Sequence, residues 1–199
     1  MTVMLIHRIR STRPRSAGHA RLGAALTVFL IVTGLLVAAV PVPADFTVTA
    51  PADGSEFRLS GARGRYVALH FLLKTECPIC LRHTRDYARR GPGLTNVVQV
   101  FLKPDSEEEI RRWTSTMDAG DPIKVTVYRD PEAALADAYG IPGGYAFHGQ
   151  KVHYPALILL DPAGKEVFRH VGTNNSDRLP FDRFAAVVKD RKTDAPPEP

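Results

Sequence analysis

The chain has 199 residues, with 26 lysines and arginines against 21 acids, and two cysteines. Its net charge of +5 is local, because Arg8, Arg10, Arg13, Arg15 and Arg21 fall among residues 1–21 with no acid beside them and the remainder is balanced. A balanced remainder has no electrostatic footprint for nucleic acid, and a single cysteine pair falls short of the two pairs a structural zinc site usually needs.

Residues 1–21 form a basic arm, and residues 22–44 come after it without a charged side chain. About 20 apolar residues suffice to span a bilayer as a helix. Arginines before such a segment predict a cytoplasmic N-terminus and an exported remainder. The segment is expected either to stay as an N-terminal hydrophobic anchor helix or to be removed as a signal peptide. Val42-Pro43-Ala44 resembles a small-residue cleavage site that would release the chain from Asp45 onward.

Residues 45–190 hold one domain's worth of sequence. Phe46–Thr49 and Glu56–Ser60 alternate apolar and polar residues around Pro51-Ala52-Asp53-Gly54, which predicts strand, turn and strand. Val67–Leu73 is apolar nearly throughout, as a strand covered on both faces would be, and His70 within it reads as a core histidine. A helix is expected from the cysteine pair to Arg90, ending near Gly91-Pro92-Gly93. Val97–Leu102 is a second buried strand. Ser106 and Glu109 form a capping box for a helix with Ile110, Trp113 and Met117 on one face. Lys124–Tyr128 is a third strand, leading to a helix capped by Asp130, with Pro131 first and Gly140 as its stop. Ala156–Leu160 and Glu166–Val171 form a hairpin around Asp161-Pro162-Ala163-Gly164. A last helix runs from Pro180 to Asp190 on Phe181, Phe184, Val187 and Val188, and residues 191–199 are expected to be a disordered tail. The alternation predicts an α/β domain: a central mixed sheet with helices on both faces.

The two cysteines stand as Cys77-Pro78-Ile79-Cys80, directly after a predicted buried strand and at the start of a helix. A bridge between them would close a very small loop and contribute little stability, even in a compartment where disulfides persist. The spacing therefore suits reversible redox use. Cys77 meets the unpaired N–H groups and positive end of a helix, which favour a thiolate. Pro78 fits the first turn because it lacks an N–H, and Cys80 lies one turn on.

Three segments together resemble the thioredoxin-like superfamily. They are the strand–Cys-Pro-Ile-Cys–helix unit, Tyr128–Pro131 through Ala138–Ile141, and Tyr154–Asp161 with Gly164-Lys165 and Val171-Gly172 after it. The match is to exported, anchored thioredoxins of the cytochrome-maturation type and their alkyl hydroperoxide reductase/thiol-specific antioxidant relatives, over residues 45–190. The resemblance implies a thioredoxin-like fold and thiol–disulfide exchange without a cofactor. It makes Cys77 the exposed nucleophile and Cys80 the buried resolving thiol. Pro155 would be the cis-proline facing the pair, and Tyr154 would offer its backbone to a client strand. Tyr154, Pro155, Pro78 and Ile79 are then the substrate-binding residues. Protein thiols and disulfides, an upstream redox partner and, through residues 22–44, a membrane are the expected partners, with the domain on the periplasmic side. The pattern is departed from at Glu76, a carboxylate that opposes thiolate formation, at the bulky Tyr154, and in the long Gly143–Lys151 segment.

Two rival readings share this fold. A peroxiredoxin would carry Thr three residues before the nucleophile and Pro seven before it, where this chain has Lys74 and His70. Thr75 is one place late, and no arginine occurs between Gln150 and Lys165. A copper- or other metal-binding chaperone could use Cys77, Cys80 and His83, although such chaperones use a longer cysteine spacing and a distant histidine. Leu81 stands where haem attachment needs a histidine.

Overall fold

Strand β1 (Thr47–Thr49) pairs antiparallel with β2 (Glu56–Arg58), and Val48 and Phe57 point inward between exposed neighbours. The intervening turn is closed by Asp53 Oδ1, which accepts both the N–H and the hydroxyl of Ser55. The computed structural model describes residues 44–74, 77–118, 123–147 and 150–193. The expected N-terminal helix, Glu76 and the end of the tail lie outside the described residues. Among the described residues no helix is long and apolar enough to cross a membrane.

Strand β3 (Tyr66–Phe71) is buried along its whole length. Helix α1 (Pro78–Arg90) comes next, ending in a 3-10 turn at Gly91–Gly93 as the Gly-Pro-Gly signal predicts. Strand β4 (Val97–Lys103) leads into α2 (Glu107–Asp118) through the predicted capping box. Ser106 Oγ accepts the Glu109 N–H at 3.3 Å, while Glu109 Oε2 accepts the Ser106 N–H at 2.9 Å. Ile110, Trp113 and Met117 are buried on one face of α2.

Strand β5 (Val127–Arg129) is shorter than the sequence predicts and starts three residues later. Asp130 does cap the next helix, α3 (Ala134–Ala138), but from further away than expected. Its carboxylate accepts the N–H groups of Leu135 (2.8 Å) and Ala136 (3.0 Å), both inside α3. The detour arises because Glu132 and Ala133 both adopt left-handed backbone angles, φ 55° and 57°, which kink the segment after Pro131. The long Gly143–Lys151 segment is a two-stranded antiparallel ribbon, β6 (Tyr145–Phe147) and β7 (Gln150–Val152). Strands β8 (Ala156–Leu160) and β9 (Glu166–Val171) form the predicted hairpin, and α4 (Phe181–Thr193) closes the domain.

The main sheet has the order β5-β4-β3-β8-β9. The first three strands are parallel and the last two run antiparallel to their neighbours. Alternation along β3 divides the core in two. Tyr66 and Ala68 pack with residues of α1, α2 and α4 such as Tyr87, Trp113 and Phe184. Val67, Leu69 and Phe71 pack with β1, β2 and the α3 residues Leu135 and Ala136. Helices therefore cover both faces, and the cysteine pair emerges at the C-terminal end of the central strand, where parallel sheets place their sites.

Candidate active site

Leu72 and Leu73 carry the chain out of β3 as buried residues, and Cys77 starts α1. Its backbone is extended (φ −130°, ψ 110°) while Pro78 takes the first helical position. The Cys80 N–H donates to Cys77 Sγ at 3.1 Å and the Leu81 N–H to the Cys77 carbonyl at 3.0 Å. Cys77 is thus the helix N-cap, facing the unpaired amides. Both thiols are free, so the structure is that of the reduced pair.

The two sulfurs differ in acidity. Cys77 is held down at about 5, first by the hydrogen bond from the Cys80 side chain, then by the Cys80 backbone N–H, Arg178 and Asn175, all acting against burial. Cys80 is pushed up, first by Cys77 and then by burial, with Arg178 opposing. The Asn175 contact favours the Cys77 thiolate only with the amide turned to present Nδ2. With Oδ1 facing the sulfur it holds the thiol form. Cys77 alkylation by iodoacetamide is accordingly expected to rise between pH 4 and 6, with a midpoint near 5, and to be flat at pH 7. The sign comes from the reactive form: the thiolate accumulates as pH rises through the lowered pKa. A rate still climbing above pH 8, as for an ordinary thiol with pKa about 8.5, would contradict the assignment.

Cys77 is 1% exposed and Cys80 0%. The expectation of an exposed nucleophile is corrected: the segment joining β9 to α4, Thr173–Arg178, lies over the pair. Cys77 Sγ donates to Asn175 Oδ1 at 3.0 Å. Arg178 Nη2 donates to Cys80 Sγ at 3.0 Å and to Asn175 Oδ1 at 3.2 Å, while its Nε donates to the Asn175 carbonyl at 3.1 Å. The Asn175 N–H is received by Tyr145 Oη at 2.8 Å, so the β6–β7 ribbon helps to hold the cover. Thr173 N–H and Oγ bond Asp177 Oδ2, and Ser176 N–H bonds Asn174 Oδ1, which gives the segment its own turn structure. Sequence reasoning missed Asn175, Arg178 and Tyr145. The Gly-Thr-Asn-Asn-Ser-Asp run has the composition of a turn and could have been marked as one, but a turn signal does not say what the turn folds over.

Gly172 sets the approach of this segment to the rest of the site. A Cβ there would overlap the Asp177 carbonyl oxygen and sit 3.0 Å from Pro155 Cγ. The Gly172 N–H also donates to the Pro155 carbonyl at 2.8 Å. The Gly172→Ala protein is therefore expected to displace Asp177 and lift the cover, raising the Cys77 alkylation rate at pH 7 by about tenfold or more, since each 1.4 kcal/mol of lost closure is tenfold in exposed population. An unchanged rate in a folded variant would show that the segment does not shield the thiol.

Among the other predicted site residues, Pro78 is exposed, Ile79 and Tyr154 are half-buried and Pro155 is buried. Tyr154 already spends both backbone groups within the protein: its N–H donates to the Pro142 carbonyl at 2.9 Å, and its carbonyl receives His153 Nδ1 at 2.7 Å. Its ring packs against that of Tyr145, tilted by 38° with the centroids 5.1 Å apart. Pro155 lines a small cavity with His83, His170 and Arg178, so Arg178 joins the proline to the thiol pair. His83 Nε2 meets His70 Nδ1 at 3.2 Å, and His70 Nε2 meets Gln99 Oε1 at 2.8 Å. His70 is the satisfied core histidine expected, pushed down to about 4 by burial. Among the described residues no three His, Cys, Asp or Glu side chains are grouped as metal ligands. A cavity of about 610 Å³ lined by Phe46, Val48, Arg111 and Arg129 lies on the β1–β5 side and borders neither cysteine.

A model of the AhpC/TSA family matches residues 40–167. No curated protein matches the chain significantly. Similar solved structures include the Xanthomonas campestris bacterioferritin comigratory protein, studied for alkyl peroxide reduction (16% identity, 73% of this chain, 91% of that one, TM-score 0.59). The reduced 2-Cys peroxiredoxin of Plasmodium vivax is 21% identical, over 77% of this chain and 94% of that one, with TM-score 0.60. The pneumococcal exposed lipoprotein thioredoxin of Streptococcus pneumoniae is 24% identical, over 73% of this chain and 98% of that one, with TM-score 0.56.

Proposed function

The chain belongs to the AhpC/TSA family, and from that premise we propose that it is an exported thiol–disulfide oxidoreductase that acts on protein disulfides through Cys77 and Cys80. Family membership makes it a thiol-based oxidoreductase or peroxidase. The finer reading rests on one observation: two thiols one helical turn apart, the first acidified and the second held protonated. That division of acidity is what a nucleophile and a resolving thiol require. The Cys77 thiolate attacks a client disulfide, forming a mixed disulfide as one client thiolate leaves. Cys80 then loses its proton and attacks Cys77 Sγ, and the client departs with both sulfurs reduced. Run backward, the same steps oxidise a client dithiol, and the reduction potential of the couple against its partners sets the direction. Export and a membrane anchor are supported by the arginine arm before the uncharged residues 22–44. An upstream protein donor would restore the dithiol after each cycle.

A second reading, thiol peroxidase, is favoured by one specific observation. The cover over Cys77 excludes a protein chain in the closed form, whereas a small oxidant needs only a slight opening, and Arg178 supplies the arginine that residues 150–165 lack. Two assays on the full-length protein separate the readings. Reduction of insulin disulfides with a chemical donor, and little consumption of hydrogen peroxide, is the expected result. Rapid peroxide turnover without insulin reduction would replace the first reading by the second.

A further inference from the structure

Arg178 places a permanent charge beside Cys80. Three other side chains surround the small cavity beside it: His83 from α1, His170 from β9 and Asp177 from the cover. The His83 ring is kept neutral by its surroundings, and its Nε2 is committed to His70. His170 and Asp177 face each other, Nε2 to Oδ1, at 3.2 Å. Of these four side chains Arg178 alone places a donor on the Cys80 sulfur, with Nη2 at 3.0 Å, beside the backbone of Leu73, which also favours the thiolate. Guanidinium cannot be deprotonated in a protein, so the charge is there at every working pH.

We propose that Arg178 is a catalytic residue of the second half-reaction, where it holds the Cys80 thiolate as that thiolate forms and attacks the mixed disulfide. The inference rests on the exchange reading given above. In the reduced protein Cys80 stays a thiol because the adjacent Cys77 sulfur and burial both oppose its ionisation. Once Cys77 is bonded to a client sulfur it carries no charge, and the first of those two obstacles is gone. Burial remains, opposed by a charge-assisted hydrogen bond from Arg178. The step balances: the Cys80 S–H bond breaks and the Cys77–Cys80 bond forms. The Cys77–client bond breaks, and the proton ends on the departing client thiolate. No further oxidant or reductant is consumed.

The anchorage of the residue fits this role. Asn175 lies at the crown of the cover, whereas Arg178 is next to Leu179, which is 7% exposed and whose carbonyl receives Tyr87 Oη at 2.8 Å. Lifting the crown off Cys77 to admit a client breaks the two bonds from the guanidinium to Asn175 and leaves the one to Cys80.

The test is the reaction of reduced full-length protein with dithiobisnitrobenzoate, which releases one coloured thiolate when Cys77 attacks and a second when Cys80 resolves the adduct. The Cys80→Ser protein, which stops after the first release, assigns the phases. In Arg178→Met the second phase is expected to slow by about tenfold or more, as loss of a hydrogen bond to a charged group implies, and its pH midpoint to rise. The first phase should slow by less than about threefold, since Arg178 ranks below the Cys80 hydrogen bonds among the groups acidifying Cys77. Arg178→Lys should recover part of the second phase, and it keeps the test alive if the methionine variant does not fold. A second phase that is unchanged, or both phases slowed in equal proportion, would overturn the proposal. The readout needs no protein client. Failure to reduce insulin would count against the exchange reading alone, whereas an unaltered phase ratio would count against Arg178 alone.

Discussion

The Cys77→Ser protein is expected to lose dithiol exchange by on the order of a thousandfold or more, as removal of a covalent nucleophile does, while remaining folded. Serine differs from cysteine by one atom, and both can cap α1 by accepting the N–H now given to Cys77 Sγ at 3.1 Å. The loss is therefore chemical. A hydroxyl at that position stays protonated where the thiol ionises at about 5. The Cys80→Ser protein should behave differently. It can still capture a client on Cys77 but cannot release it, so a stable mixed disulfide should accumulate and appear as a band that reductant removes. Retention of multiple-turnover exchange by either variant would refute the division of labour between the two sulfurs.

The largest loss of stability is expected at the far end of β4. Lys103 and Asp105 are 1% and 0% exposed, and their charged groups meet at 2.6 Å. The ammonium also lies over the Trp113 ring, 5.3 Å from its centre. Removing one member of a buried pair leaves the other charge desolvated, which costs about 3–5 kcal/mol. For a domain of this size that lowers the melting temperature by on the order of 10 °C. Lys103→Met should show the full loss in thermal unfolding. Lys103→Met combined with Asp105→Leu should regain much of it, because no charge is then left buried. A single substitution costing under about 1 kcal/mol would mean that water reaches the pair.

The elements read correctly from sequence are those whose signals are local. Ser106 and Glu109 sit three residues apart and bond each other wherever the helix goes. The unbroken apolar run from Val67 becomes the central strand because only a strand covered on both faces tolerates it. Pro131 misleads by the same logic. It reads as a helix start, yet Glu132 and Ala133 take left-handed angles, and Asp130, itself buried, therefore bonds the amides of Leu135 and Ala136 further on. The cysteine pair was legible as chemistry, from spacing and position alone. Its surroundings were not. Asn175 and Arg178 lie 98 residues from the sulfurs they touch, and no periodicity links a polar turn to a helix cap so far back. Tyr145 was visible as an aromatic in an overlong segment, but its hydroxyl gains its role only because the ribbon folds beside the Asn175 amide.

The Asn175 cover has a bearing on how long the protein can wait between encounters. An acidic thiolate at a surface is the sulfur most readily lost to stray oxidants, climbing from sulfenic to irreversible sulfinic and sulfonic acids. If the protein is the exchange enzyme proposed above, its acidic sulfur would stay shut away until a docking partner displaced one amide side chain and its tyrosine support. Reducing equivalents would then be stored with little leakage, and their release coupled to recognition rather than to chance collisions in solution.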